Sequence, residues 1–333
     1  MNLLFTRRQF NQTGAGIAAL GALAPFSARA QSLDLVKIVN GFPAGGTADA
    51  TSRRVGEKLA GSGYTKNAAL VENKAGAGGR IAVETVKNAA PDGATLLLTP
   101  YSCTSIYPHI YKKLSYDPFK ELAPVCIAAI MHHGLAVGPM VPASVKTVKD
   151  YVAWAKANPG QASYGSPAAG SIPHFLGALL SGYTNTPLTH VPYRGSIPGV
   201  VDVVGGQLAS MFTPSGDFLT NYKAGRLRIL ATSGPARNPY SPDVPTFAEQ
   251  GFAELTTEEW FGFYAPAKTP GNIIDSANSA INAALLDKTV ISSLGTFGLI
   301  SRGSTPREMD KSQRDAFFRW GPLVKQIGFS EES

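Results

Sequence analysis

The sequence predicts an α/β protein of two lobes, each a mostly parallel sheet flanked by helices, with a ligand cleft between them. Three observations carry this. Short apolar runs alternate with helix-like stretches along the whole chain. A long apolar run, Val125 to Val137, separates one alternating series from a second and exceeds an ordinary strand. A later run, Glu259 to Tyr264, reads as a strand returning to the first series. One α/β set interrupted by another needs two crossings, and two crossings imply a hinge and a cleft. The lobes are expected at 32–128 with 255–333, and at 129–254.

The first 30 residues read as a targeting segment. Arg7 and Arg8 form a basic start, Gly14 to Ala24 a small-residue apolar core, and Ala28-Arg29-Ala30 a cleavage site. Thr6-Arg7-Arg8-Gln9-Phe10 resembles a twin-arginine signal; Asn11 continues it imperfectly, which leaves the general secretory route open. No cysteine follows the site, so no lipid anchor is implied. The expected product is cut after Ala30, exported to the periplasm and soluble, since no later apolar run approaches a membrane span.

The first series opens with a strand over Leu35 to Val39. Pro43, Gly45 and Gly46 break it, and Ala48 to Leu59 follows as a helix. A glycine turn between strand and helix aims backbone N–H groups past the positive end of the helix dipole, which makes an anion site. Neither G-x-x-x-x-G-K-[ST] nor G-x-G-x-x-G is present there, so the turn is not a nucleotide loop. A plain turn with Thr47 as cap and Asp49 in the first helical turn fits as well. Ala68 to Val71 is a second strand, Glu72 to Gly79 a second glycine-rich turn, Ile81 to Ala90 a helix, and Ala94 to Thr99 a buried strand. Ligands of such sheets bind beyond the carboxyl ends of the strands. The opening turn and the loop Pro100 to Thr104, with Tyr101 and Ser102, both lie there.

The second series runs as helix Val148 to Ala157, strand Ala162 to Tyr164, helix Ser171 to Leu180, strand Leu188 to His190 and helix Ile197 to Val204. Strand Leu208 to Phe212, helix Phe218 to Tyr222 and strand Leu227 to Ala231 complete it, and helices Pro270 to Leu286 and Pro306 to Ile327 close the chain. Its own candidate site is Tyr164 to His174, where a strand ends, small residues turn and a helix starts. Ser171 is placed as N-cap, with a proline in the first turn. Two such turns on facing lobes could hold the two ends of a dicarboxylate. Phe42, Tyr101, and His174 with Phe175 add flat side chains near the expected cleft, which favours an aromatic diacid of the phthalate or terephthalate type over citrate or a C4 diacid; a place in the core or at the rim fits any one of these rings as well.

Composition narrows the partners. The chain has 30 basic and 23 acidic residues; without the three arginines of the targeting segment, 27 remain against 23, a net charge of +4. That suits small acidic ligands and, with no basic tract, argues against nucleic acid. Cys103 and Cys126 permit one disulfide in an exported protein, or two buried thiols; C-x-x-C spacing is absent.

In this setting the chain resembles the tripartite tricarboxylate transporter substrate-binding proteins, the Bug-type periplasmic solute receptors. Phe42-Pro43-Ala44-Gly45-Gly46-Thr47-Ala48-Asp49 is similar to the family's first-loop signature, Val71 to Gly79 to its second, and Ala90 to Leu96 to its third. Tyr111 to Pro118, His190 to Ser196, Ser241 to Thr246 and Tyr264 to Ala267 also match, in order, over nearly all of the chain beyond residue 36. The resemblance implies a periplasmic binding protein fold, no catalysis, no cofactor or metal, and a monomer. It implies a carboxylate carried to membrane permease subunits, or sensed for a signalling partner. It places ligand contacts at Gly45, Gly46, Thr47 and Asp49, and at Ser166, Gly170 and Ser171. The departures are the loop Pro100 to Thr104, Thr213 where the family often has an acid, and His174; these positions should select the ligand.

An exported hydrolase is the competing class. It lacks a visible constellation: there is no G-x-S-x-G elbow and no H-E-x-x-H. His132 and His133 are adjacent on a presumed strand, face opposite sides, and read as packed or surface residues.

Overall fold

The computed structural model describes residues 32–331. Lys37–Asn40 (β1), Leu70–Asn73 (β2) and Thr95–Pro100 (β3) form a parallel trio with β1 in the middle. Thr47–Lys58 (α1) and Arg80–Lys87 (α2) make its crossovers. After Tyr107–Ile110 (α3) and Pro118–Glu121 (α4), Leu122–Met131 (β4) joins this sheet next to its edge and His133–Val137 (β5) enters another. The chain changes sheets at His132.

The second sheet repeats the plan. Ser163–Ser166 (β6) sits between Thr189–Pro192 (β7) and Ser210–Pro214 (β8), all parallel. Val148–Ala157 (α5) precedes the trio, and Ile172–Thr184 (α6) and Ser196–Val204 (α7) link its strands. Leu219–Lys223 (α8) and Arg228–Thr232 (β9) follow, with β5 antiparallel to both β8 and β9. Glu259–Pro266 (β10) then returns to the first sheet, antiparallel between β3 and β4. Gly271–Leu286 (α9), Lys288–Gly295 (α10), the short edge strand Ile300–Ser301 (β11) and Pro306–Ile327 (α11) finish the chain. Each sheet is thus a parallel trio extended by antiparallel strands. β10 and β5 run against their trios, and β4 and β9 beyond them run with the trios again.

Burial explains the strands. Ile38, Leu96 and Leu98 face one core while Val39 and Leu97 face another, the period of two expected of a sheet covered on both sides. The core that holds Val39 continues into the second lobe through Tyr164, Phe175 and Phe212. Helix α11 joins the two halves: its Trp320 lies 5.8 Å from the ring of Phe175 on α6. Its start is a capping box, with Glu308 N–H donating to Thr305 Oγ1 and Thr305 N–H to Glu308 Oε2.

Several boundaries differ from the sequence reading. Strands end one or two residues later, as β6 does at Ser166, because pairing continues into small polar residues that carry no hydrophobic signal. The loop after β3 is a buried π-helical turn, Ser102–Ile106. The two cysteines do not pair: both are free and buried. Cys103 and Cys126 belong to the cores on opposite sides of the first sheet, and the sheet stands between them. Burial pushes their thiols up, to about 12 and about 11. The targeting segment lies outside the described residues; among those described, no helix is long and apolar enough to cross a membrane.

Candidate ligand-binding site

A cavity with about 530 Å³ of empty space opens between the sheets. The first lobe lines it with Phe42, Pro43, Gly46, Thr47 and Ala48, and the second with Ser171, Pro173, Ser196 and Asp217. Ser102, His133, Glu259 and Phe261 line it where the chain crosses.

The first wall is a braced turn. Asn40 at the end of β1 accepts the Phe42 N–H on Oδ1 at 3.0 Å. Gly45 adopts φ +88, which only glycine takes without strain, and its N–H donates to Asp49 Oδ2 at 3.0 Å. Asn73 on β2 donates to both the Phe42 carbonyl and Asp49 Oδ1. Burial raises the Asp49 carboxyl, but Arg53, the Gly45 N–H and Asn73 outweigh it and hold the group below its usual range. Asp49 is therefore an ionised brace of the turn. Gly46, not Thr47, is the N-cap of α1, and it has no side chain with which to cap that helix.

The second wall follows the same logic. Ser171 occupies the N-cap of α6, yet its hydroxyl donates to the Ala168 carbonyl at 2.7 Å and leaves the helix uncapped. Ser166 donates to the same carbonyl and takes the His190 Nε2 contact at 2.7 Å. Gly170, at φ +74, donates its N–H to His174 Nδ1 at 3.0 Å. His174 stacks on His190 with ring centroids 3.8 Å apart. These side chains support the turn from behind.

That stacked pair is neutral. Burial, then the neighbouring His190, lowers His174 to about 3; burial lowers His190 to about 4. An imidazole depressed in the folded state binds protons first in the unfolded chain, so stability is lost as pH falls below about 6.5. Between pH 6.5 and 5 each ring should cost about 1–2 kcal/mol. Urea midpoints measured at both pH values test this, and His174→Gln should remove about half of the ring-dependent loss. Equal wild-type midpoints would rule it out.

Acids complete the site. Asp217 Oδ1 accepts the Thr47 N–H at 2.8 Å, a direct contact between lobes at the start of α1. Burial raises its carboxyl, against the pull of Ser196, the Thr47 N–H and Thr213. Glu259 Oε1 accepts the Ser102 N–H at 2.9 Å and the Ser102 hydroxyl at 2.5 Å. Its Oε2 lies 2.9 Å from His133 Nε2, within ion-pair distance. The angle is too poor for a hydrogen bond, and both His133 ring nitrogens remain without one.

Of the residues read from the sequence, Phe42, Gly46, Thr47, Ser102 and Ser171 line this cavity. Gly45 and Asp49 brace it, Ser166, Gly170 and His174 stand behind the second wall, and Phe175 is in the core. Thr213 reaches Asp217 only at 3.4 Å and bonds Ser196 at 2.6 Å; the acid expected at 213 is supplied four residues later. Tyr101 points elsewhere: its ring packs on Trp260, and its hydroxyl receives Arg319 and Trp320. Asp217, Glu259 and His133 were missed. The paired His132-His133 and Glu258-Glu259 were the only visible signal: each histidine ends beside one of the glutamates. Among the described residues no group of three or more His, Cys, Asp or Glu is placed to hold a metal.

A family model described as the tripartite tricarboxylate transporter family receptor matches residues 55–329, a span that begins within α1. The chain belongs to that receptor family. The receptor is 31% identical to Protein BugT of Bordetella pertussis, over 95% of this chain and 96% of the relative. A solved periplasmic transporter superposes with a TM-score of 0.84 at 34% identity, covering 92% of this chain and 99% of that one. Rpa4515 of R. palustris, solved with adipate, gives 0.82 at 28% identity over 89% and 98%. MatC of Rhodopseudomonas palustris, with bound malate, gives 0.78 at 25% identity over 87% and 99%. The two-lobed binding-protein fold expected from the sequence agrees with these likenesses.

Proposed function

We propose that this receptor captures a small carboxylate between its lobes, in the periplasm and as a monomer, and delivers it to membrane permease subunits without chemical change. The observation that carries the reading is that two helix starts, α1 from the first lobe and α6 from the second, meet at the cavity. Neither N-cap residue bonds its helix through a side chain, and the Thr47 N–H of α1 is held by Asp217 from the other lobe. The positive ends of two facing helices suit a carboxylate. Similar proteins solved with adipate and malate support a diacid. The preference for an aromatic diacid rests on less than expected, since only Phe42 of the flat side chains read from the sequence lines the cavity; Tyr107 and Phe261 stand there instead.

A thermal-shift screen of mono-, di- and tricarboxylates, aromatic and aliphatic, tests the reading. At least one carboxylate is expected to raise Tm, and matched esters and amides are expected to emerge unhydrolysed. Gly46→Val should abolish the shift. An added Cβ there sits 3.7 Å from Asp217 Oδ1 without a clash, so the branched side chain is directed at the cavity; an unliganded Tm close to that of the wild type checks that the fold is kept. A shift that survives in this variant would move the site elsewhere.

A further inference from the structure

This inference rests on the carboxylate reading above. The polar side chains of the cavity are unusual for a site meant for a dianion. Asp217 and Glu259 both line it, and no lysine or arginine is among the described residues that do. The rest of the wall is largely apolar: Phe42, Pro100, Met131, Ile197, Pro214 and Phe261. The first donor of α1, the Thr47 N–H, is already taken by Asp217, so any ligand carboxyl drawn to that helix sits beside an acid. The groups facing Asp217 are Thr47 from α1, Ser196 from α7 and Thr213 from β8, none of them cationic. The other titratable groups lining the cavity are Glu259 from β10, His133 from β5 and the Tyr107 phenol from α3. His133 is 1% exposed, lines the same cavity, and has no hydrogen bond at either ring nitrogen. A buried imidazole that has the Glu259 carboxylate beside Nε2 yet no hydrogen bond at either nitrogen leaves hydrogen-bonding capacity for a ligand group.

We propose that the ligand is a carboxylate whose second end donates hydrogen bonds, through a hydroxyl, an ammonium or an un-ionised carboxyl group, to Asp217 and Glu259 beside His133. A fully ionised diacid would set like charges together in a low-dielectric space; a donor at that end replaces repulsion by charge-assisted hydrogen bonds. The burial that raises the Asp217 carboxyl acts in the same direction, because a proton shared between two carboxyl groups serves as the donor. Asp217 and Glu259 are thereby specificity-determining residues, set against dianions.

The test is titration calorimetry on the wild-type protein with matched probes of two lengths at pH 7.5 and 5.5. The probes are succinate, 4-hydroxybutanoate and 4-aminobutanoate, and adipate, 6-hydroxyhexanoate and 6-aminohexanoate. At pH 7.5 a hydroxy or amino acid is expected to bind at least tenfold tighter than the diacid of equal length. The diacid should gain at least tenfold at pH 5.5, the hydroxy acid less than threefold. Asp217→Asn keeps an acceptor for the Thr47 N–H and should bring diacid and hydroxy acid within threefold at pH 7.5. A diacid that binds tightest at pH 7.5, with no gain on acidification, overturns the inference and leaves the carboxylate reading standing. Absence of binding by all six at both pH values overturns both.

Discussion

Replacing Phe175 by alanine is expected to lower the unfolding free energy by about 3–5 kcal/mol, the range for emptying a buried aromatic site. Phe175 is fully buried on α6. Its ring lies 5.8 Å from Trp320 on α11, stacked, and 5.8 Å from Phe329, edge-on. These neighbours come from the C-terminal helix and tail, while Phe175 comes from the second lobe. The hole therefore opens in the one core that spans both lobes. Rigid elements bound it on each side, which limits collapse and puts the loss in the upper part of the range. Phe318, on the same C-terminal helix but 72% exposed, is the control: alanine there should change stability by less than about 0.5 kcal/mol. Guanidinium unfolding curves for the two variants decide the matter. A Phe175→Ala loss near that of Phe318→Ala would mean that α6 and α11 do not share a core.

The second large effect is expected at Gly216, in the turn that presents Asp217. An added Cβ would stand 1.6 Å from the Phe297 carbonyl oxygen and 2.4 Å from its carbon. The obstacle is main chain, so no side chain can rotate away. The turn must leave the facing segment, where Asn238 also holds the Gly298 carbonyl at 2.7 Å. Gly216→Ala should cost about 1–3 kcal/mol or more. It should also break the Thr47–Asp217 contact and weaken carboxylate binding at least tenfold. Gly63→Ala, with nothing within 4 Å of the new atom, should do neither. Calorimetric titration beside thermal unfolding separates the two losses. Unaltered binding in a destabilised Gly216→Ala protein would detach the lobe contact from the site.

The sequence by itself determined the kind of fold and the position of the two turns. Apolar periodicity is local, so helices α5 and α11 appear in the structure over the same residues as read from the sequence, 148–157 and 306–327. The glycine turns after β1 and β6 were legible for the same reason: a positive φ at Gly45 and Gly170 leaves its trace in residue type. Only the tertiary structure decided what those turns face. Ser102 and Glu259 are 157 positions apart, and the Thr47 N–H and Asp217 are 170 apart. No spacing rule links such pairs; they meet because β10 returns between β3 and β4 and because the second lobe closes on α1. Tyr101 and His174 carried the right chemistry, and packing turned their rings away from the cavity, to Trp260 and to His190. Acidity of the site was invisible for the same physical reason. A carboxylate on a turn reads as solvated until the other lobe removes the water, and which carboxylates lose it depends on the closing surface.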